Sequence, residues 1–299
     1  NKNITLYAVQ KKAVQLTFHR CDGSTWQKTT LAKGSSYSLP GVRDAEGYTF
    51  MGWSTKPMQS VSPQYEAEEK ITVNGNVDLY AVVFNRTTET DLTEDQLPQV
   101  DIYKYKQVIF VGDSRTEFME NVLTGMGESA TKNVKFVCSA GKGLDWFTTT
   151  GWAQLYSIVQ HDSNSILSKK TAVIFNFGVN DLSKSADYAE YYNWIAPQLK
   201  SKGCELYFMS VNPVNRLMLP NAGRADRSEA AVRSFNQYMK ANLSSAYTYI
   251  DMYSYLKSTG YSFASDHYGT GTVDDGLHYT TRTYKRIFAK CMDSLRVPA

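Results

Sequence analysis

Within its 299 residues the chain has no apolar run approaching the ~20 residues that cross a bilayer, so no transmembrane helix is expected. Its opening, Asn1-Lys2-Asn3, is followed by no apolar h-region, so no signal peptide is expected there. Four cysteines (Cys21, Cys138, Cys204, Cys291) stand without any CxxC spacing; this argues against a structural zinc site and leaves buried free thiols as the simpler reading. No long basic stretch occurs and the net charge is only +3, so nucleic-acid binding is not expected. Histidine is scarce: His19, His161, His267 and His278 are all there are, which narrows any search for an acid–base group. What is present is ordinary globular composition, 42% hydrophobic and 20% charged, with length enough for two domains or one domain and an appendage. Tyrosine is abundant, at 21 residues, which suits either a sugar-facing surface or aromatic-rich packing.

The first 85 residues carry strand signals only. Ala13-Val14-Gln15-Leu16-Thr17-Phe18 alternates, Gly47 to Trp53 is rich in aromatics, and Val77 to Phe84 is a third candidate, with Gly, Pro, Ser and Asn between them. Asn1-Lys2-Asn3-Ile4-Thr5-Leu6-Tyr7-Ala8-Val9 matches Asn74-Gly75-Asn76-Val77-Asp78-Leu79-Tyr80-Ala81-Val82 at six of nine positions. Residues 1–9 therefore read as the tail of a preceding copy, and the chain as an excerpt of a longer repeat-bearing protein. Gly47-Tyr48-Thr49-Phe50-Met51-Gly52-Trp53-Ser54-Thr55 and the closing Leu-Tyr-Ala-Val resemble the Listeria–Bacteroides repeat, a small β-grasp-like module of bacterial surface proteins. The resemblance implies a secreted or cell-surface setting and association with the cell wall, but no chemistry. Residues 86–105, polar and holding Pro98, read as a linker.

From 106 to 299 strand and helix signals alternate. Val108–Val111, Val134–Val137, Ala172–Phe177, Glu205–Val211 and Tyr247–Ile250 read as buried strands, and Ala186–Lys202, Ser228–Leu243 and Thr280–Leu295 as helices. The alternation predicts a parallel sheet covered by helices on both faces, with ligands at the C-terminal ends of its strands.

The motifs fall at those ends. Gly112-Asp113-Ser114 follows the first strand and places Ser114 at a helix start, where free N–H groups favour a developing oxyanion. Thr116 stands where a Gly-x-Ser-x-Gly elbow would have its last glycine, so the usual α/β-hydrolase turn is not supported. Asp275 and His278 precede the last helix; on a turn or helix start that spacing lets a carboxylate orient an imidazole. His267, whose near carboxylate is the adjacent Asp266, is the reserve base. Ser139 to Leu144 after the second strand and Phe177-Gly178-Val179-Asn180-Asp181 after the third offer a glycine N–H and an asparagine amide, the donors acyl transfer needs.

Taken together, the four blocks resemble the SGNH hydrolases, or GDSL-type esterases, over about residues 106–299. The resemblance implies a flavodoxin-like three-layer α/β/α sandwich with a parallel sheet, and no metal or organic cofactor. It implies Ser114 as nucleophile, His278 as base and Asp275 as its orienter. The implied oxyanion donors are the Ser114 N–H, Gly143 (or Gly141) and Asn180. Where the family name pattern has Leu, this chain has Arg115. That residue reads either as a positive charge near the pocket favouring polar or anionic esters, or as a solvated helix residue paired with an acid. The function implied is a serine esterase acting on short acyl groups, acetyl above all, of a carbohydrate or cell-wall polymer. A lipase, or a non-catalytic glycan-binding surface protein, is the alternative.

Overall fold

The computed structural model describes residues 12–101, 104–161, 170–223, 225–265 and 274–295. The match between residues 1–9 and 74–82 lies partly outside them. The N-terminal part is all β: β1 (Ala13–His19), β2 (Thr25–Ala32), β3 (Ser35–Ser38), β4 (Tyr48–Ser54), β5 (Lys70–Val73) and β6 (Val77–Asn85). β2, β1, β6 and β4 form a mixed sheet in that order, with β1 parallel to β6, while β3 and β5 pair apart. Leu16, Phe18, Trp53 and Leu79 close its core. β2, which the sequence does not announce, has mostly exposed side chains, so no burial period marks it.

The larger part begins with β7 (Tyr105–Gly112), α1 (Ser114–Met126), β8 (Val134–Cys138), α2 (Leu144–Trp146), α3 (Trp152–His161), β9 (Lys170–Asn176) and α4 (Ser185–Ser201). It continues with β10 (Cys204–Met209), α5 (Glu229–Asn242), β11 (Tyr247–Ile250), α6 (Met252–Thr259), β12 (Phe263–Ser265), β13 (Asp274–Tyr279) and α7 (Thr281–Ser294). The sheet runs β11-β10-β9-β7-β8, parallel throughout, the flavodoxin-like order expected of an SGNH hydrolase. Its central strands β7, β9 and β10 are buried almost throughout because both faces are covered. Ile109 and Val111 face α3, α4 and α5, while Val108 and Phe110 face α1 and α7, as a period of two requires. β7 and β9 adjoin the point where the strand order reverses, and the loops after them open the cleft there.

Two local expectations change. Asp275 and His278 lie on a strand, β13, paired antiparallel with β12, not on a turn or helix start. In a regular strand residues three apart face opposite ways. Here the register between β12 and β13 is broken, and Gly276, at φ +68°, turns the chain so that both side chains meet. The stretch 86–105, expected as a linker, is packed where it is described: Leu97, Val100 and Tyr105 are buried in the same core as α7. Met51, Val82 and Phe84 of the β module join that core.

Gly260, at φ +82°, brings the backbone after α6 against Phe84; a Cβ there would sit 2.2 Å from the ring. Gly260→Ala should therefore cost about 1–3 kcal/mol in urea unfolding. The G260A/F84A pair should cost less than the two single losses summed, because removing the ring removes the clash.

Candidate active site

Asp113 follows β7 and caps α1, accepting the Arg115 N–H at 3.0 Å. Ser114 follows at the first helical position, so its N–H lies outside the intrahelical ladder and its side chain projects over the sheet edge. The Ser114 Oγ is 2.9 Å from His278 Nε2, and His278 Nδ1 is 2.5 Å from Asp275 Oδ2. An ionised carboxylate only accepts, so Nδ1 carries the ring proton and Nε2 accepts from the serine hydroxyl. The other Asp275 oxygen accepts the N–H groups of Leu277 (2.8 Å) and His278 (2.7 Å). Asp275 is fully buried, His278 is 2% exposed and Ser114 6%. Burial works to raise the Asp275 pKa, but the bond and charge of His278 and the two N–H donors outweigh it and hold the carboxyl below its ordinary value. Phe118 meets the imidazole edge-to-face at 4.5 Å between ring centres.

Ser114 and His278 border a cavity of about 310 Å³ that Ala140, Gly141, Asn180 and Arg227 also line, among others. The structure thus brings Ser114, Asp275, His278 and Asn180 together. Gly143 does not line the cavity; Gly141 does. The Lys142 carbonyl accepts from Asn180 Nδ2 at 2.8 Å, and a trans peptide turns the Gly143 N–H the opposite way. Gly143 instead begins α2 against Asp181, whose Oδ2 takes the Leu144 N–H at 2.9 Å. A Cβ on Gly143 would meet that oxygen at 2.3 Å, so the turn needs glycine there. The reserve base, His267, lies outside the described residues, as does the side chain of His161. His19 belongs to the β module, where it bonds Asp78 at 2.8 Å.

Three residues do work that sequence reasoning missed. Asp181 joins the loops after β8 and β9 through Leu144 and the Tyr188 hydroxyl. Arg227 donates to the Val179 carbonyl (2.7 Å) and to Asn180 Oδ1 (2.8 Å), which fixes the amide so that its NH₂ faces the cavity turn. Nothing local announces Arg227, since it lies 47 residues from Asn180. Arg115 is not the solvated, acid-paired helix residue of its second expected reading. It is 3% exposed, pairs with no acid among the described residues, and spends its guanidinium on the carbonyls of Leu277 (3.1 Å), Asn212 (3.0 Å) and Pro213 (3.1 Å). It also lies over the Tyr279 ring. It staples the serine helix to the histidine strand.

A buried Ser–His–Asp array at the strand ends of a parallel α/β/α sandwich defines the class as a hydrolase. The chain belongs to the GDSL-like lipase/acylhydrolase family, whose model matches residues 108–291, and residues 15–82 match the Listeria-Bacteroides repeat domain. No curated protein matches. Among solved structures, an acetyl xylan esterase is similar at 11% identity and a TM-score of 0.41, covering 64% of this chain and 100% of its own. The catalytic domain of Streptococcus pneumoniae peptidoglycan O-acetyltransferase A stands at 16% and 0.38, covering 64% and 92%. A Bacillus subtilis protein stands at 13% and 0.39, covering 95% and 98%.

Arg115→Met should strip the guanidinium from the buried carbonyls of Leu277 and Asn212, leave Pro213 with the Tyr279 hydroxyl alone, and cost roughly 2 kcal/mol or more in urea unfolding. It should leave the ratio of rates on anionic and neutral esters unchanged. A pH effect follows from Asp113. Burial pushes its carboxyl from 3.8 up to about 6, against the pull of Arg115. The folded state then holds the proton more tightly, so this stability is whole below 3.8 and is lost as pH rises through about 6. Asp113→Asn keeps the cap without the titration. Relative to wild type, its unfolding free energy should rise between about pH 4 and 7, by at most about 1.4 kcal/mol per unit. Parallel pH profiles of the two proteins would remove Asp113 as the cause.

Proposed function

We propose that this acylhydrolase is a serine esterase that removes short acyl groups, acetyl above all, from a carbohydrate or cell-wall polymer. The observation that carries the reading is the cavity beside Ser114 and His278: small, open and lined by Gly, Ala, Asn and Arg rather than by a long apolar wall. A second depression of about 390 Å³, with Ser183, Arg216 and Asp226 on its walls, shares Asn180, Ala225 and Arg227 with it. Such a cleft suits a short acyl group beside a polar, extended alcohol, and among the described residues gives a fatty acyl chain little apolar surface to bury.

In this reading His278 Nε2 takes the Ser114 proton as Oγ bonds to the ester carbonyl carbon. The negative oxygen is met by the Ser114 N–H, the free hydrogen of the Asn180 amide and an N–H of the 141–143 turn. For Gly143 to be that third donor the Lys142–Gly143 peptide has to rotate; Gly141 already borders the cavity. Collapse breaks the bond to the alkoxy oxygen, which leaves as alcohol with the proton from His278. Water, losing a proton to the same nitrogen, attacks the acyl-serine and releases the acid. Asp275 keeps the imidazole oriented and stabilises its charged form. The match to the Listeria–Bacteroides repeat supports a secreted or cell-surface setting with the β module against the wall.

Hydrolysis of p-nitrophenyl esters from acetate to long acyl chains, by wild type and variants, is the test. Activity should peak at acetate and vanish in Ser114→Ala. Asn180→Ala should fold normally and lose roughly 10²–10³ in turnover. A peak at long chains would indicate a lipase. An inert wild type whose Ser114 also resists a fluorophosphonate would indicate a glycan-binding protein.

A further inference from the structure

The β module reaches the strand that carries Asp275 and His278. Arg86, at the end of β6, places Nη1 2.6 Å from Asp274 Oδ2 and Nη2 2.7 Å from Asp44 Oδ2, and its Nε donates to Thr49 Oγ1 at 2.9 Å. Asp44, whose side chain is 1% exposed, also accepts the Phe50 N–H at 3.0 Å and Asn215 Nδ2 at 2.9 Å. Asn215 donates from the same amide to the Val42 carbonyl, and its own N–H goes to the Gly276 carbonyl at 2.9 Å. The two neighbours of Asp275 in sequence are thus both held from the module: Asp274 directly by Arg86, and Gly276 through Asn215, which Asp44 and Val42 orient. A Cβ on Gly276 would meet the Asn215 carbonyl oxygen at 2.5 Å, so the chain is seated there with no slack.

We propose that the N-terminal β module is a positioning element for the acid–base pair, acting through Asp44 and Arg86 on Asp274 and Asn215. It is then more than a spacer or a wall anchor. The inference rests on the reading of His278 as the base. Regular strand geometry would turn Asp275 and His278 apart. The kink at Gly276 joins them, and a kinked strand whose one partner among the described residues is three-residue β12 needs support from outside its own sheet. Arg86 and Asp44 supply it, and because both are paired and mostly buried the tie is stiff. Displacing a reacting group by about an ångström can cost of the order of a hundredfold in rate.

The test uses the full chain and three variants. Arg86→Met cuts the tie, Arg86→Lys keeps its charge, and Glu66→Gln weakens the bond to Lys257, a contact between the same two parts that does not touch β13. With p-nitrophenyl acetate, R86M should lose about tenfold to a hundredfold in kcat at unchanged KM. R86K should recover much of that, and E66Q should keep the wild-type kcat even if its melting point falls. In parallel, nuclear magnetic resonance follows titration of the His278 ring, assigned with His278→Gln. Its midpoint should shift in R86M and not in E66Q. A folded R86M with wild-type kcat and an unmoved His278 titration would overturn the proposal, and so would an equal loss in E66Q. A wild type that hydrolyses no ester counts against the esterase reading alone, because the imidazole titration still reports whether Arg86 holds the pair.

Discussion

The Asp275 carboxylate is the interaction on which the functional end of the molecule depends. A carboxylate taken wholly out of water is strongly destabilising unless its lone pairs are used. Here one oxygen takes two successive backbone N–H groups and the other takes the imidazole. Those bonds bend the end of the chain into a hook, with Gly276 at its turn, and the hook presents Nε2 to Ser114. Arg115 grips its outer side at Leu277, Asn215 grips it at Gly276, and the Tyr279 hydroxyl ties it to the Pro213 carbonyl. The serine itself is set by something simpler, the cap at the start of α1.

Around this hook the two matched regions of the chain meet through a shared patch: Met51, Val82 and Phe84 join the core under α1 and α7, while Leu16, Phe18 and Trp53 keep a core of their own. Phe84 packs on Gly260, and the strap from 86 to 101 buries Leu97 and Val100. Glu89, buried in the strap, is satisfied by Ser262, Thr283 and Arg286, and Lys257 stands between Glu66 of the module and Glu229 of α5. Buried ion pairs add little net stability, but an unpaired member is strongly unfavourable, so they exclude other ways of docking the same surfaces. The register of the module against the sandwich is therefore narrowly set, as it must be if Arg86 and Asp44 are to meet β13.

On the opposite wall of the cavity the same economy holds. Asn180 is held at both ends of its amide, by Arg227 and by the Lys142 carbonyl, and Asp181 binds the two donor loops to each other. In the proposed reading, an Asn180 amide fixed before substrate arrives needs no reorganisation as charge develops.

Much of this was legible in the chain itself. The three central strands are largely apolar runs, because a parallel sheet covered on both faces leaves them no polar side, and three of the helices carry their periodicity plainly. Ser114 and Asn180 sit in short blocks after β7 and β9, and Asp275 and His278 in one just before α7, so their grouping followed from the order of elements. The structure alone decided the rest: the strand conformation of Asp275 to His278, the inward turn of Arg115, the grip of Arg227 on Asn180, the exclusion of Gly143 from the cavity wall, and the docking of the β module onto β13. Each depends on a partner far away in sequence. A local pattern records whether a side chain is buried, whereas which distant carbonyl or carboxylate satisfies it is set only when the elements pack.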